Sequence, residues 1–158
     1  MHPIMNIKQP LAHLLLSASK KYLGIFSQEA EGMDIDRYQY VLVLINIHNE
    51  QLTQKSLSEL LEVDKSYMVN IIDYLSDKGY VVRTINEKDR RQHLIKLTEK
   101  AREIIPKIEG AIIRLNSKSV ENISESQIQT FLSVLQQISS NLSDAKPAEI
   151  VINYKSKK

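Results

Sequence analysis

Apolar residues recur at three- and four-residue spacing through most of the 158-residue chain, and alternate in one stretch. Leu11, Leu14, Leu15, Ala18, Tyr22 and Ile25 trace a first helical stripe, entered at Pro10 and running to about Ser27. Gln28 to Met33, around Gly32, reads as a connection. A second helix, capped by Asp34 or Asp36, turns Tyr38, Val41, Leu42 and Ile45 inward and ends near Asn49. After a brief strand at Leu52, Thr53 caps a short third helix reaching Glu62, with Leu57, Leu60 and Leu61 inward.

Residues 64 to 79 carry the sharpest signal. Asp64 can accept hydrogen bonds from the free N–H groups of Ser66 and Tyr67, and Gly79 can take the left-handed conformation that closes a helix. Between them Met68, Ile71, Ile72 and Leu75 form one apolar stripe. The other face carries Ser66, Asn70, Asp73 and Asp77, flanked by Tyr67, Val69 and Tyr74. Only Glu62 and Val63 separate this helix from the short one before it, the spacing of a helix-turn-helix whose second helix enters a major groove. Hydrogen-bonding groups fill its first two turns, whereas Asp73 and Asp77 would repel phosphate further on. Entry by the N-terminal end is therefore expected.

Tyr80 to Ile85 has β character, Asn86 to Arg91 is polar and turn-like, and His93 to Leu97 alternates, which predicts a hairpin. Between positions 83 and 96 the five bases Arg83, Lys88, Arg90, Arg91 and Lys96 outnumber the acids Glu87 and Asp89. A basic hairpin after such a helix is a wing, and arginines at its tip can enter a minor groove. Thr98 then caps a helix with Ile104, Ile105, Ile108, Ala111, Ile112 and Leu115 apolar, in which Pro106 should produce a kink. Asn116 to Ile123 continues it or loops. Ser124 to Gln127 is a capping box, and Ile128, Phe131, Leu132, Leu135, Ile138 and Leu142 extend a last stripe to about Ser143. Beyond Ala145, an Ile150-Val151-Ile152 patch and a basic end suggest a tail able to dock on a partner chain.

The pattern predicts a mainly α fold with a small β-hairpin wing, a winged helix-turn-helix with N- and C-terminal dimerisation helices. Its expected parts are residues 10–33 (dimerisation helix and connection), 34–98 (DNA-binding lobe), 99–143 (dimerisation helices) and 144–158 (tail). The terminal helices are too apolar for a small lobe to cover, so a homodimer is expected, with a bundle inside one chain as the alternative.

Composition narrows the chemistry. With 42% hydrophobic residues, 4 Gly and 4 Pro, the chain is helical and globular, and no apolar run approaches a membrane span. A cytoplasmic protein without membrane contact is expected. The absence of cysteine excludes disulfides, thiolate chemistry and cysteine zinc sites. His2, His13, His48 and His93 lack paired ligand spacing, so no metal or other cofactor is expected. The net charge of +2 is too small to imply nucleic acid by itself; local clustering carries that argument. There is no glycine-rich phosphate loop, nucleophile motif or convincing carboxylate pair, which disfavours an enzyme. A winged helix that binds protein through Tyr67, Val69 and Tyr74 is the competing reading.

The segment Asp89-Arg90-Arg91-Gln92-His93-Leu94-Ile95-Lys96-Leu97-Thr98 fits the pattern Asp-x-Arg-x-x-x-Ile-x-Leu-Thr at every fixed position. Leu52-Thr53-Gln54, Leu57, Leu60-Leu61, Leu75 and Lys78-Gly79-Tyr80-Val81 occur around it in order. In these features the chain resembles the MarR family of transcriptional regulators across about residues 10 to 143. The resemblance implies a bacterial homodimer, often a repressor, on palindromic or near-palindromic double-stranded DNA. It also implies control by a small aromatic or anionic effector between the dimerisation helices and the DNA-binding lobe, with no pocket residue identifiable. It assigns DNA contacts to Lys65, Ser66, Tyr67, Val69, Asn70 and Tyr74 on the recognition helix and to Lys88, Asp89, Arg90 and Arg91 on the wing. Thr53, Gln54 and Lys55 add contacts from the preceding helix. Arg91 would be the wing-tip arginine and Asp89 would orient an arginine nearby. Two departures stand out. Asn70 replaces a frequent arginine, which shifts the expected base from guanine to adenine, and Glu62 replaces a glycine in the turn, which should leave it slightly strained or differently wound.

Overall fold

The computed structural model describes residues 10–30, 32–35, 37–145 and 147. Six helices and one hairpin follow in the order α1 (Leu11–Glu29), α2 (Gln39–Ile47), α3 (Gln54–Leu60), α4 (Lys65–Asp77), β1 (Val81–Asn86), β2 (Asp89–Leu97), α5 (Glu99–Ser119) and α6 (Glu125–Asn141). The predicted order of elements is therefore the observed one, a mainly helical winged helix-turn-helix. Among the described residues no helix is long and apolar enough to cross a membrane.

One core joins α2 to α5. Leu42 and Ile45 of α2, Leu57 of α3, Met68, Ile72 and Leu75 of α4, Ile95 of β2 and Ile108 of α5 are almost wholly buried in it. Each element contributes the stripe its spacing marks. Local caps fix where the elements start: Asp64, Thr98 and Ser124 each accept N–H groups of the following turn, and Ser124 forms a reciprocal box with Gln127. Thr53 forms its box with Ser56.

Several local expectations need correction. Pro10 precedes α1 with ψ 135° and is not its first helical residue. Asp34 does not cap α2: Tyr38 occupies that position in a left-handed conformation, φ 66°. Asp34 is instead bound to Lys78 and Lys100 at 3.5 and 2.8 Å, and Asp36 lies outside the described residues. Leu60 is exposed because seven residues of α3 bury one edge only, where Leu57 and Ser58 sit. Helix α5 carries Pro106 inside it and continues through Asn116 to Ser119, one of the two alternatives expected for that segment. The proposed tail patch at 150–152 lies outside the described residues.

The hairpin pairs Val81 with Leu97 through Ile85 with His93, then jumps to Asn86 with Asp89. Arg90, Arg91 and Gln92 thus face no residue of β1, where a plain turn over 86–91 was expected. Leu52 forms no strand: its carbonyl accepts the Ile95 N–H at 2.9 Å, and a single isolated bridge joins Thr53 to Leu94 at the hairpin's edge. Helix α1 rests on α5, tied by Tyr22 Oη donating to Asn116 Oδ1 (2.7 Å) and by Arg114 donating to Glu29. Neither α1 nor α6 has a buried residue.

Candidate nucleic-acid interface

The turn into α4 is set by one unfavoured backbone conformation and one carboxylate. Glu62 adopts φ 50°, the left-handed region where a glycine would be unstrained. Asp64 then accepts the N–H groups of Ser66 (2.7 Å) and Tyr67 (3.4 Å), and these bonds hold its carboxyl below the usual carboxylate range. At the far end Gly79 takes φ 75° and reverses the chain into β1.

Lys65, Ser66 and Asn70 are exposed on the first turns of α4, as are Tyr67 and Val69 at 38% each. No hydrogen bond engages the Asn70 carboxamide among the described residues, so all its donors and acceptors face solvent. Tyr74 differs from the others. It is half-buried, edge-on to the Tyr38 ring at 5.5 Å and 4.6 Å from the Arg37 guanidinium.

The wing cations divide into two groups. Arg83 Nη2 donates to Asp73 Oδ1 at 2.5 Å and to Gln54 Oε1 at 3.2 Å, while Lys96 Nζ donates to the Glu50 carbonyl at 2.9 Å. These two hold the lobe together. Lys88, Arg90 and Arg91 have no carboxylate partner among the described residues. Asp89 orients no guanidinium: its Oδ1 accepts the backbone N–H of Arg91 at 3.1 Å and its Oδ2 accepts from Gln92 Nε2 at 2.9 Å. It shapes the bulge that carries Arg91.

Thr53, Gln54 and Lys55 meet the hairpin along an open groove of about 560 Å³ that Arg83, Gln92, His93 and Ile95 also line. Lys55 makes an exposed pair with Glu59 at 3.7 Å. Gln92 and His93 are not among the site residues expected from sequence, although both lie inside the wing motif. Nor are Arg37 and Tyr38, whose contact with α4 has no local signal.

The helix-turn-helix and hairpin coincide with a comparison of sequence. The MarR family model matches residues 37–92, which run from the approach to α2 into the hairpin. Over these residues the chain is similar to the MarR family. The organic hydroperoxide resistance transcriptional regulator of Bacillus subtilis is 28% identical over 138 residues, covering 84% of this chain and 94% of that protein. A Thauera aromatica protein named for regulation of the hcr operon is 27% identical over 108 residues, covering 68% of this chain and 64% of its own length. Among solved structures, S. aureus MepR bound to DNA superposes with a TM-score of 0.78 at 20% identity, covering 84% of this chain and 96% of that one. That likeness is one of fold.

Proposed function

We propose that this protein is a MarR-family homodimeric regulator of transcription that binds double-stranded DNA by sequence. It is a binding protein and not an enzyme. One observation carries the reading: the exposed front of α4, with the Asn70 carboxamide unengaged, stands in the same lobe as a hairpin tip whose Lys88, Arg90 and Arg91 meet no carboxylate among the described residues. Base edges offer what Asn70 can pair, and phosphates offer what the cations lack. The relatives named as regulators, and the MepR complex with DNA, support the same reading.

In this reading residues 34–98 form the DNA-binding lobe, and residues 10–33 with 99–143 form the dimer. Two α4 helices then enter successive major grooves about 34–36 Å apart, on a palindromic or near-palindromic operator. Ser66, Tyr67, Val69 and Asn70 meet bases and phosphates, Lys65, Thr53, Gln54 and Lys55 meet the backbone, and Arg91 reaches the minor groove with Lys88 and Arg90 beside it. The protein is cytoplasmic and acts as a repressor. A small aromatic or anionic ligand relieves it by binding more tightly to a dimer with misplaced helices, because only differential affinity shifts such an equilibrium.

The test is fluorescence anisotropy of the purified chain on the duplex upstream of its own gene, at two salt concentrations, with a scrambled control. Selective binding that weakens steeply with salt is expected. No binding at low salt would replace this reading with the protein-binding module that exposed Tyr67 and Val69 would serve.

A further inference from the structure

Tyr38 lies outside both the recognition helix and the hairpin, yet its side chain ends on α4. Its ring stands edge-on to Tyr67 and Tyr74, with centroids 6.3 and 5.5 Å away. The Arg37 guanidinium lies 5.2 Å from the Tyr38 ring and 4.6 Å from that of Tyr74, and its buried Nε has no hydrogen-bond partner among the described residues. Two rings, Tyr38 and Tyr74, thus flank one cation, and Tyr38 carries the contact on to a third ring, Tyr67. Packing alone would be served equally by phenylalanine at position 38. The tyrosine adds a hydroxyl 3.4 Å from that of Tyr67, in the first turn of α4.

We infer that Tyr38 is a positioning residue for DNA recognition, holding the Tyr67 ring and directing the Tyr67 O–H outward to a phosphate oxygen or a base acceptor. The inference rests on the DNA-binding reading above. Either hydroxyl can donate in this contact, and exposure sets the direction once DNA is bound. Tyr38 is the less exposed of the two, so the more exposed Tyr67 is the one whose O–H reaches DNA. With its proton given to DNA, the Tyr67 oxygen is left to accept from Tyr38. At 3.4 Å the contact is long for O–H···O and weak in the free chain. When Tyr67 donates to an anionic oxygen, its own oxygen becomes a better acceptor, and the two bonds strengthen each other. Ring packing sets the position and the hydroxyl pair sets the polarity.

The experiment is a double-mutant cycle on the full chain with Tyr38→Phe, Tyr67→Phe and both. Binding is measured by anisotropy on a duplex selected in vitro from a random pool and on its scrambled counterpart. Loss of one hydrogen bond predicts that Tyr38→Phe lowers the ratio of selected to scrambled affinity by about three- to tenfold. In the Tyr67→Phe background the same substitution should change it by less than about twofold. Melting temperatures within about 2 °C of the wild type would separate this from a loss of fold. An unchanged ratio in Tyr38→Phe, or equal losses in both backgrounds, overturns the positioning role. If the wild-type chain selects no duplex, the regulator reading falls and this inference with it; selective wild-type binding with silent Tyr38→Phe removes the inference alone.

Discussion

Arg83 on β1 grips Asp73 on α4 at 2.5 Å, and the same guanidinium nitrogen reaches Gln54 of α3 at 3.2 Å. The bridge offsets a carboxylate that would otherwise repel phosphate beside the recognition helix. Arg83→Ala should therefore weaken binding to every duplex by about two- to fivefold, the scale of an exposed ion pair. Asp73→Asn in the same chain should restore most of the loss. Anisotropy on selected and scrambled duplexes checks both; no recovery in the double variant would mean that Arg83 itself meets the DNA.

Asn70 has no competing partner among the described residues. If it pairs with an adenine, Asn70→Ala costs about 1–3 kcal/mol on the preferred site and relaxes preference at one base pair per half-site. A panel of single-base operator variants reads this directly. Uniform loss on all of them would assign Asn70 to the backbone.

The bulge cations predict a change in salt dependence. Arg91→Ala removes one phosphate-neutralising charge per subunit and should flatten the log–log dependence of affinity on salt by about 0.9 for each phosphate left without its cation. Arg83→Ala should leave that slope nearly unchanged, since Asp73 already occupies its charge. Titrations at four salt concentrations would distinguish the two, and equal slopes would remove the division between structural and DNA-facing cations.

What the sequence made legible was whatever is local. Asp64, Thr98 and Ser124 lie within three residues of the N–H groups they cap, and the apolar stripes that bury Met68 or Ile108 repeat within one helix. What it hid was settled at a distance. Asp34 reads as a helix cap, but the lysines that claim it lie 44 and 66 positions away. Arg83 and Lys96 look like wing cations until their partners on α4 and after α2 are known. The bulge at Arg90 to Gln92 depends on pairing register, which composition does not encode. For the candidate site, the exposed front of α4 was readable from periodicity, whereas the inward turn of Tyr74 toward Arg37 was not.

Glu50 supplies a prediction of stability and pH. Its carboxylate accepts the Leu97 N–H at 3.0 Å and a hydrogen bond from Arg102, and its side chain is only 16% exposed. Burial opposes ionisation, but the Arg102 and Leu97 bonds and the charges of Arg102 and Lys96 outweigh it and hold the carboxyl below its ordinary value. A depressed value means that this stabilisation is complete above the unfolded glutamate's value of 4.5 and is lost as pH falls through the folded one. Glu50→Gln should cost about 1–2 kcal/mol at pH 7, in the lower part of the range for charged hydrogen bonds because Arg102 is partly exposed. Urea unfolding should find the gap between wild type and variant narrowing at about pH 3. A constant gap would show that shape and not charge is at work.

The apolar face of α6 bears on assembly. Phe131 is 55% exposed, Leu132 47% and Val134 49%, and α1 adds Leu11 and Leu14 at 50% and 48%. Side chains this apolar, on helices with no buried residue, need cover that the described residues of one subunit do not supply. In the proposed homodimer a second copy would supply it symmetrically, so a substitution near the twofold axis would act twice. Losing the burial of Phe131 in both subunits would cost about 3–6 kcal/mol, at roughly 1.5–3 kcal/mol for each. Phe131→Glu should thus weaken dimerisation by about a hundredfold or more and give a helical monomer at micromolar concentration. Sedimentation equilibrium with circular dichroism measures mass and fold together. A wild-type monomer under the same conditions would sink the homodimer, and a dimeric Phe131→Glu would move the interface off this face of α6.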